Sequence, residues 1–287
     1  MRWFPFGIVK HKWYLTMEYN KKSLPRLDHT SYEHPFDRKA LNALERTPGL
    51  TVAGKYVTKQ TIERVYTVQY TGSNLRVTAQ SYPMMHDYLR YACHILGVQR
   101  VPELYVQWGY GINAFTVGAE NPIVVLDSGL LDLCDEDEKL FIIGHELGHI
   151  KSNHMLYHMM AQLINYVIDI VPGGSLVAAP LRYALLYWDR MSEFTADRAG
   201  MLCCQNRDAA VRAFVKMAGL PISQYGQMNV QSFLQQAKDF DDLDYENLNR
   251  FFKLVSILDS THPWTVMRAA ELIKWIESGA YSKLLFE

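Results

Sequence analysis

Apolar positions along this chain change their spacing near residue 133. Before it, three short runs, ELYVQW (103–108), INAFTV (112–117) and PIVVLD (122–127), are separated by Gly or Asn-Pro turns and predict the strands of a small sheet. After it the pattern is helical. Asp135 followed by Glu138 is a capping-box signature, and the acidic run 135–138 suits the positive end of a helix dipole, so a helix is expected from about Glu136 to beyond Ser152. Further helices are expected at 155–171, 175–187, 189–205, 207–218, 245–258 and 263–278, divided by Pro-Gly-Gly, Asn, Pro or Thr-His-Pro breaks. Upstream, Phe36–Gly49 predicts a helix closed by Pro48 and Gly49. Alternation in ERVYTVQY and LRVTA around Thr71-Gly72-Ser73-Asn74 predicts a β-hairpin over 61–78, and Pro83 opens a helix through Gly97. The acidic stretch Asp239–Glu246 reads as a solvated loop.

These elements amount to an α+β fold, mostly helical, with a small sheet. Residues 1–60 show less regular patterning and are taken as an N-terminal extension to a domain spanning 61–287. The segment 155–188 is strongly apolar yet carries His158, Gln162, Asn165, Asp169 and Arg182, and neither half offers the roughly 20 clean apolar residues of a bilayer span. It reads as a buried or partner-facing helical hairpin, with peripheral membrane contact as the alternative.

Composition narrows the function. The 287 residues are 49% hydrophobic and 21% charged, as in ordinary globular proteins, and 29 Lys/Arg against 30 Asp/Glu leave a net charge of -1, without the basic excess of a nucleic-acid binder. Residues 1–60 hold 11 Lys/Arg against 5 Asp/Glu beside several aromatics, a basic start that suits a solvated tail or an anionic membrane surface. Lys, His or Pro interrupts every apolar run at the start before a signal-peptide core can form, which makes the cytoplasm, with or without membrane association, the expected location. Cys93, Cys134, Cys203 and Cys204 are too few and too irregularly spaced for a disulfide scaffold and read as reduced thiols.

The chemistry concentrates in His145-Glu146-Leu147-Gly148-His149, an HExxH on the expected helix. At 3.6 residues per turn the two histidines stand about 40° apart on one face, close enough for both rings to reach one Zn²⁺. Glu146 lies beside that face, able to take a proton from an activated water and pass it to a leaving amine. The flanking residues in FIIGHELGHI are apolar, so an unpartnered Glu146 would cost several kcal/mol, whereas a metal site accounts for all three polar side chains together. A catalytic zinc needs a third protein ligand. Glu193, 44 residues after His149, is the candidate, because Glu193 and Asp197 share one helix face and Asp197 could then accept the outer N–H of a ligand imidazole. By itself, ExxxD is a common surface pattern. His154 lies nine residues after His145, about 180° round a continuous helix, so neither it nor His158 is assigned as a ligand.

Over roughly 80–275 the chain resembles the zinc metallopeptidases that include the CAAX prenyl protease and the heat-shock protease HtpX, within the gluzincins. The resemblance rests on Asn113-Ala114-Phe115, the lead-in VLDSGLL (125–131), the HELGH helix, Glu193-Phe194-Thr195-Ala196-Asp197, and His262-Pro263 followed by Arg268. It implies a zincin-like metallopeptidase domain with the sheet beside the HExxH helix, one Zn²⁺ per chain on His145, His149 and Glu193, catalysis by Glu146, and transition-state contacts from His262 and Arg268. Asn113, Ala114 and Phe115 match the family's sheet edge, where an extended substrate can pair by β-augmentation. Without the resemblance, His262 reads as a helix-opening residue before Pro263 and Phe115 as part of a core strand. Unlike the membrane-embedded members, this chain lacks several convincing spans.

The expected function is therefore zinc-dependent endoproteolysis of unfolded or extended polypeptide. The alternatives are a chaperone-like scaffold that keeps zinc for structure and uses the apolar hairpin to bind, and a metal-dependent hydrolase of a non-peptide substrate. A closed structural zinc would give Glu146 no task.

Overall fold

The computed structural model describes residues 20–47, 51–52, 63–170, 174–227, 229–242 and 264–286. The helix expected at 245–258, and His262, lie outside the described residues. Helix α1 (Pro35–Glu45) opens on a proline whose missing N–H would have had no helical partner, and His34 Nδ1 accepts the Phe36 N–H at 3.2 Å. Helix α2 (Glu63–Ser73) stands where a hairpin arm was expected, and only Leu75–Arg76 (β1) is extended. Tyr66 and Tyr70, one turn apart, pack together on the sheet residues Val117, Ile123 and Val125, while Val65 and Val68 face out. Burial in this stretch repeats at the helical spacing, and the apparent alternation of the sequence was misleading.

Helix α3 (Pro83–Leu96) ends at Gly97, whose φ of 65° and 2.7 Å clearance between a built Cβ and the Pro25 carbonyl admit only glycine. Strands β2 (Glu103–Gln107), β3 (Ala114–Val117) and β4 (Ile123–Asp127) fall where the three runs predicted them. The sheet order is β1-β2-β4-β3. β4, buried along its whole length as its unbroken apolar run suggests, lies parallel to β2 with Leu104 opposite Val124, and antiparallel to β3 with Phe115 opposite Val125. Among the described residues β3 is therefore an edge strand.

After the short α4 (Ser128–Leu133), helix α5 (Glu136–Lys151) begins with the expected capping box: Asp135 Oδ1 accepts the Glu138 N–H at 2.9 Å and Glu138 Oε2 accepts the Asp135 N–H at 2.8 Å. The buried Glu138 is also paired with Arg212 and Lys216. Asn153, in the left-handed region at φ 58°, turns the chain into α6 (Met155–Ile170). Helix α7 (Gly174–Cys204) runs unbroken through the expected boundary at 188, because the buried stripe Leu185, Trp188, Met191 crosses it with no residue that stops a helix. It is followed by α8 (Arg207–Met217), α9 (Val230–Asp242), α10 (Thr265–Glu277) and α11 (Ala280–Phe286). α9 was not foreseen. It buries Phe233 on the core and absorbs Asp239–Asp242, the start of the stretch read as a loop.

The fold is the mostly helical α+β arrangement expected. Its main core joins α3, the sheet, α5, the second half of α7, α8 and α10. A second cluster, Leu44, Tyr157, Met160, Ala161, Leu185 and Trp188, holds α1 against the described part of the apolar segment. Among the described residues no helix is long and apolar enough to cross a membrane, and all four cysteines are free and buried.

α5 and α7 touch backbone to backbone. A Cβ added at Gly144 would lie 2.3 Å from Cys203 Cβ, one at Gly148 2.6 Å from Ala199 Cβ, and one at Gly200 2.6 Å from the Phe141 carbonyl oxygen. Gly200→Ala, whose added methyl would meet Phe141, is expected to cost about 1–3 kcal/mol through overpacking. A urea midpoint equal to wild type would mean that the two helices can part without penalty.

Candidate active site

The close helix contact brings two i,i+4 pairs face to face: His145 and His149 on α5, Glu193 and Asp197 on α7. His145 Nε2 and His149 Nε2 lie 3.2 Å apart, His149 Nε2 is 3.2 Å from Glu193 Oε1, and His145 Nε2 is 3.5 Å from Glu193 Oε2. All three side chains are buried. The Nδ1–H of His145 donates to Asp197 Oδ1 at 2.9 Å, so in the neutral ring Nε2 turns a lone pair toward the other two. Glu193 Oε2 is buried and accepts no hydrogen bond from the described residues, although the Arg268 guanidinium is 3.3 Å away. Donors bonded at about 2.0–2.2 Å to one tetrahedral ion sit about 3.3–3.5 Å from each other. The spacing, the burial and the unsatisfied carboxylate oxygen all fit a divalent cation among His145, His149 and Glu193, and these residues form one of the two groups able to hold an ion among the described residues.

Arg268, from α10, forks onto Asp197 with bonds of 2.8 and 2.6 Å. Burial penalises the charged forms of both carboxylates, but Arg268 and the histidines outweigh it and hold Glu193 well below the usual carboxylate range and Asp197 below it. Burial likewise opposes charge on His145, yet Glu193 and Asp197 push its pKa up to about 9, a measure of how strongly this corner attracts positive charge.

Glu146 stands outside the trio. Its Oε2 accepts the Thr116 hydroxyl hydrogen at 2.7 Å, from β3 across the cleft. Burial raises the Glu146 pKa, tempered by His145 and by this bond, in the direction a general base requires. The cleft has a volume of about 580 Å³, with Asn113, Ala114, Phe115 and Thr116 along one wall and His145, Glu146, His149 and Glu193 at its base. Of the three sheet-edge candidates, Asn113 contributes its carbonyl oxygen to the Asp127 N–H at 3.0 Å, and Phe115 packs its ring 5.9 Å from Tyr70 while still bordering the cleft.

Two histidines sit differently from the reading of a continuous helix. α5 stops at Lys151, and the Asn153 turn folds His154 back so that its Nδ1 lies 3.0 Å from His149 Nδ1. His158 Nε2 lies 3.2 Å from the same atom, and its Nδ1 is held by Asp189. His154 Nε2 lies 3.1 Å from Asp37 of α1.

The sequence pattern of peptidase family M48 matches residues 94–276, more than half of the chain and the whole of the His-Glu-His, Glu193 and Arg268 constellation. The chain belongs to peptidase family M48. Plastoglobule-localized metallopeptidase 48, chloroplastic, of Arabidopsis thaliana is 31% identical over 262 residues, covering 90% of this chain and 76% of that protein. A protease HtpX homolog of Sulfurihydrogenibium sp. is 24% identical over 237 residues (69% of this chain, 76% of the relative), and protease HtpX of Xylella fastidiosa strain M12 is 34% identical over 94 residues (31% and 32%). No solved structure gives a significant match. The resemblance to HtpX-type metallopeptidases is thus borne out, and this M48 chain is of a peptidase family whose members use a metal.

Sequence reasoning missed Thr116 in this M48 site, although a signal was available. Ala114 and Thr116 are two apart on a strand and so share a face, and a hydroxyl on that face can reach Glu146. His154, Asp37 and Asp189 had no such signal, since only the fold brings them to His149. Thr116→Val, nearly isosteric, is expected to lower kcat at least about tenfold with the melting temperature nearly unchanged, because a hydrogen bond to a charged acceptor is worth about 1.5–3 kcal/mol. Unchanged kcat on an unfolded protein substrate would show that Glu146 needs no such support.

Proposed function

We propose that this M48 chain is a zinc-dependent metalloendopeptidase acting on extended or unfolded polypeptide. The observation that carries the reading is the convergence of His145 Nε2, His149 Nε2 and Glu193 at 3.2–3.5 Å, with Glu146 beside them and engaged elsewhere. Zinc held by His145, His149 and Glu193 would act as a Lewis acid toward the scissile carbonyl and lower the pKa of a water. Glu146, its carboxylate steadied by Thr116, takes a proton from the attacking water and returns it to the leaving amine. The free edge of β3, from Asn113 through Phe115, pairs with the substrate backbone, which selects extended chains and disfavours folded ones. Asp197 fixes the His145 ring, and Arg268, with its fork already on Asp197, is better suited to holding Asp197 and Glu193 than to meeting an oxyanion. His262 is retained as the oxyanion donor on the resemblance alone. A location at a membrane or lipid surface is part of this proposal, supported by the plastoglobule in one relative's name.

Purified protein is expected to contain about one zinc per chain and to cleave unfolded casein, with cleavage abolished by a chelator. Glu146→Gln should keep metal and fold but lose turnover by several orders of magnitude. Near-normal cleavage by this variant would end the mechanism.

The ligand assignment has its own check. Glu193→Ala should lose more zinc affinity than Asp197→Ala, for which an outer-layer partner predicts a loss of about 10- to 100-fold. Zinc titration of the two variants decides it, and wild-type binding by Glu193→Ala would move the third ligand elsewhere.

A further inference from the structure

The two histidines of the trio are supported differently. His145 gives its Nδ1–H directly to a carboxylate, Asp197. Among the described residues His149 has no carboxylate at Nδ1, only two other imidazoles: His154 Nδ1 at 3.0 Å and His158 Nε2 at 3.2 Å. For His149 Nε2 to offer a lone pair, its Nδ1 must carry the hydrogen, and one of these neighbours must accept it.

The proton can be located from the far sides of the two rings. His154 Nε2 is fully buried and its near polar neighbour is Asp37 Oδ2 at 3.1 Å, a close but bent contact. A lone pair facing a carboxylate would be repelled, so Nε2 carries the hydrogen and Nδ1 of His154 is bare, aimed at His149. Asp37 is well anchored for this task, since it accepts the Trp188 indole N–H at 2.9 Å and the Thr195 hydroxyl at 2.6 Å. His158 is turned to other work. Its Nδ1–H goes to Asp189, which leaves its Nε2 bare, and the Ser192 hydroxyl, 3.2 Å away, can donate to that nitrogen. The shorter contact, 3.0 Å to the bare Nδ1 of His154, then takes the His149 hydrogen.

We infer that His154 and Asp37 are positioning residues for the metal centre: His154 accepts the Nδ1–H of His149, Asp37 sets the tautomer of His154, and His149 thereby presents Nε2 as a ligand. Asp37 belongs to α1, ahead of the segment matched to the family, so part of the support for the metal centre comes from the chain's N-terminal region. The inference rests on His149 being a zinc ligand.

The test is zinc affinity of the full-length protein, measured by competition with a chelating dye, beside urea unfolding of the same samples. His154→Leu removes the acceptor, while His154→Asn puts an amide oxygen close to where Nδ1 stood. Both variants strip Asp37 of its histidine, so any common loss of stability cancels between them. Zinc binding about 10- to 100-fold weaker in His154→Leu, with His154→Asn within a few-fold of wild type, is expected. Equal affinities in the two variants would overturn the inference, and so would a second zinc per wild-type chain that His154→Leu abolishes, since His149, His154 and His158 would then be a metal site themselves. Should His154→Leu not fold, Asp37→Asn supplies the second reading. An amide hydrogen at His154 Nε2 reverses that ring's tautomer and sets N–H against N–H at His149, for an expected loss of about tenfold, and unchanged affinity overturns the inference. His149→Ala, run alongside, isolates the premise: zinc retained there overturns the ligand assignment itself, whereas zinc lost there but held normally by His154→Leu overturns the inference alone.

Discussion

Glycine at 144, 148 and 200 lets α5 and α7 approach until backbone meets backbone, and the positions of the charged groups follow from that distance. On a helix, residues four apart share a face, so HExxH and ExxxD each supply a pair of polar groups on one side. At ordinary helix spacing, with side chains interleaved between the axes, the pairs would not reach each other. Here they do, and an imidazole nitrogen of α5 lies 3.2 Å from a carboxylate oxygen of α7. The same contact removes water from the groups it joins, which strengthens every interaction between them.

Burying so many charges demands balance. Glu146, Glu193 and Asp197 are all inside, and Arg268 is the guanidinium placed against them. The excess is negative. Burying it unpaired would cost several kcal/mol per ion; the raised pKa of His145 answers the neighbouring carboxylates, while that of Glu146 comes first from burial itself. A dication between His145, His149 and Glu193 would answer the same charge more directly. The elements around the pair of helices then divide the remaining tasks. α10 brings the fork that steadies Asp197, β3 brings a hydroxyl to Glu146 and an edge to the cleft, and α1 brings Asp37 beside His154. α6, folded back by the Asn153 turn, carries His158 and lines the cleft with Met155, His158 and Gln162.

Much of this was legible in the residues themselves, because it depends on local periodicity and on chemistry that few side chains perform. The capping box at Asp135, the strands at 103–127 and the one-face spacing of His145 with His149 and of Glu193 with Asp197 all follow from rules that act over a few residues. Errors arose where two periods could describe one stretch. Glu63–Ser73 alternates in sequence but packs Tyr66 and Tyr70 on the sheet at a helix's spacing, and the apparent break near Trp188 vanished because burial on the neighbouring helix continued through it. What only the tertiary structure decided is which partner each buried polar atom meets. Thr116 faces Glu146, Arg268 turns to Asp197 and His154 returns to His149, and these meetings join residues 30, 71 and 5 positions apart. The last is the most instructive: the two histidines are near neighbours in the chain, yet on a continuous helix they would point apart. It took the end of α5 and a left-handed residue at 153 to bring their rings together, because hydrogen-bond partners are set by distance in space and the sequence records only distance along the chain.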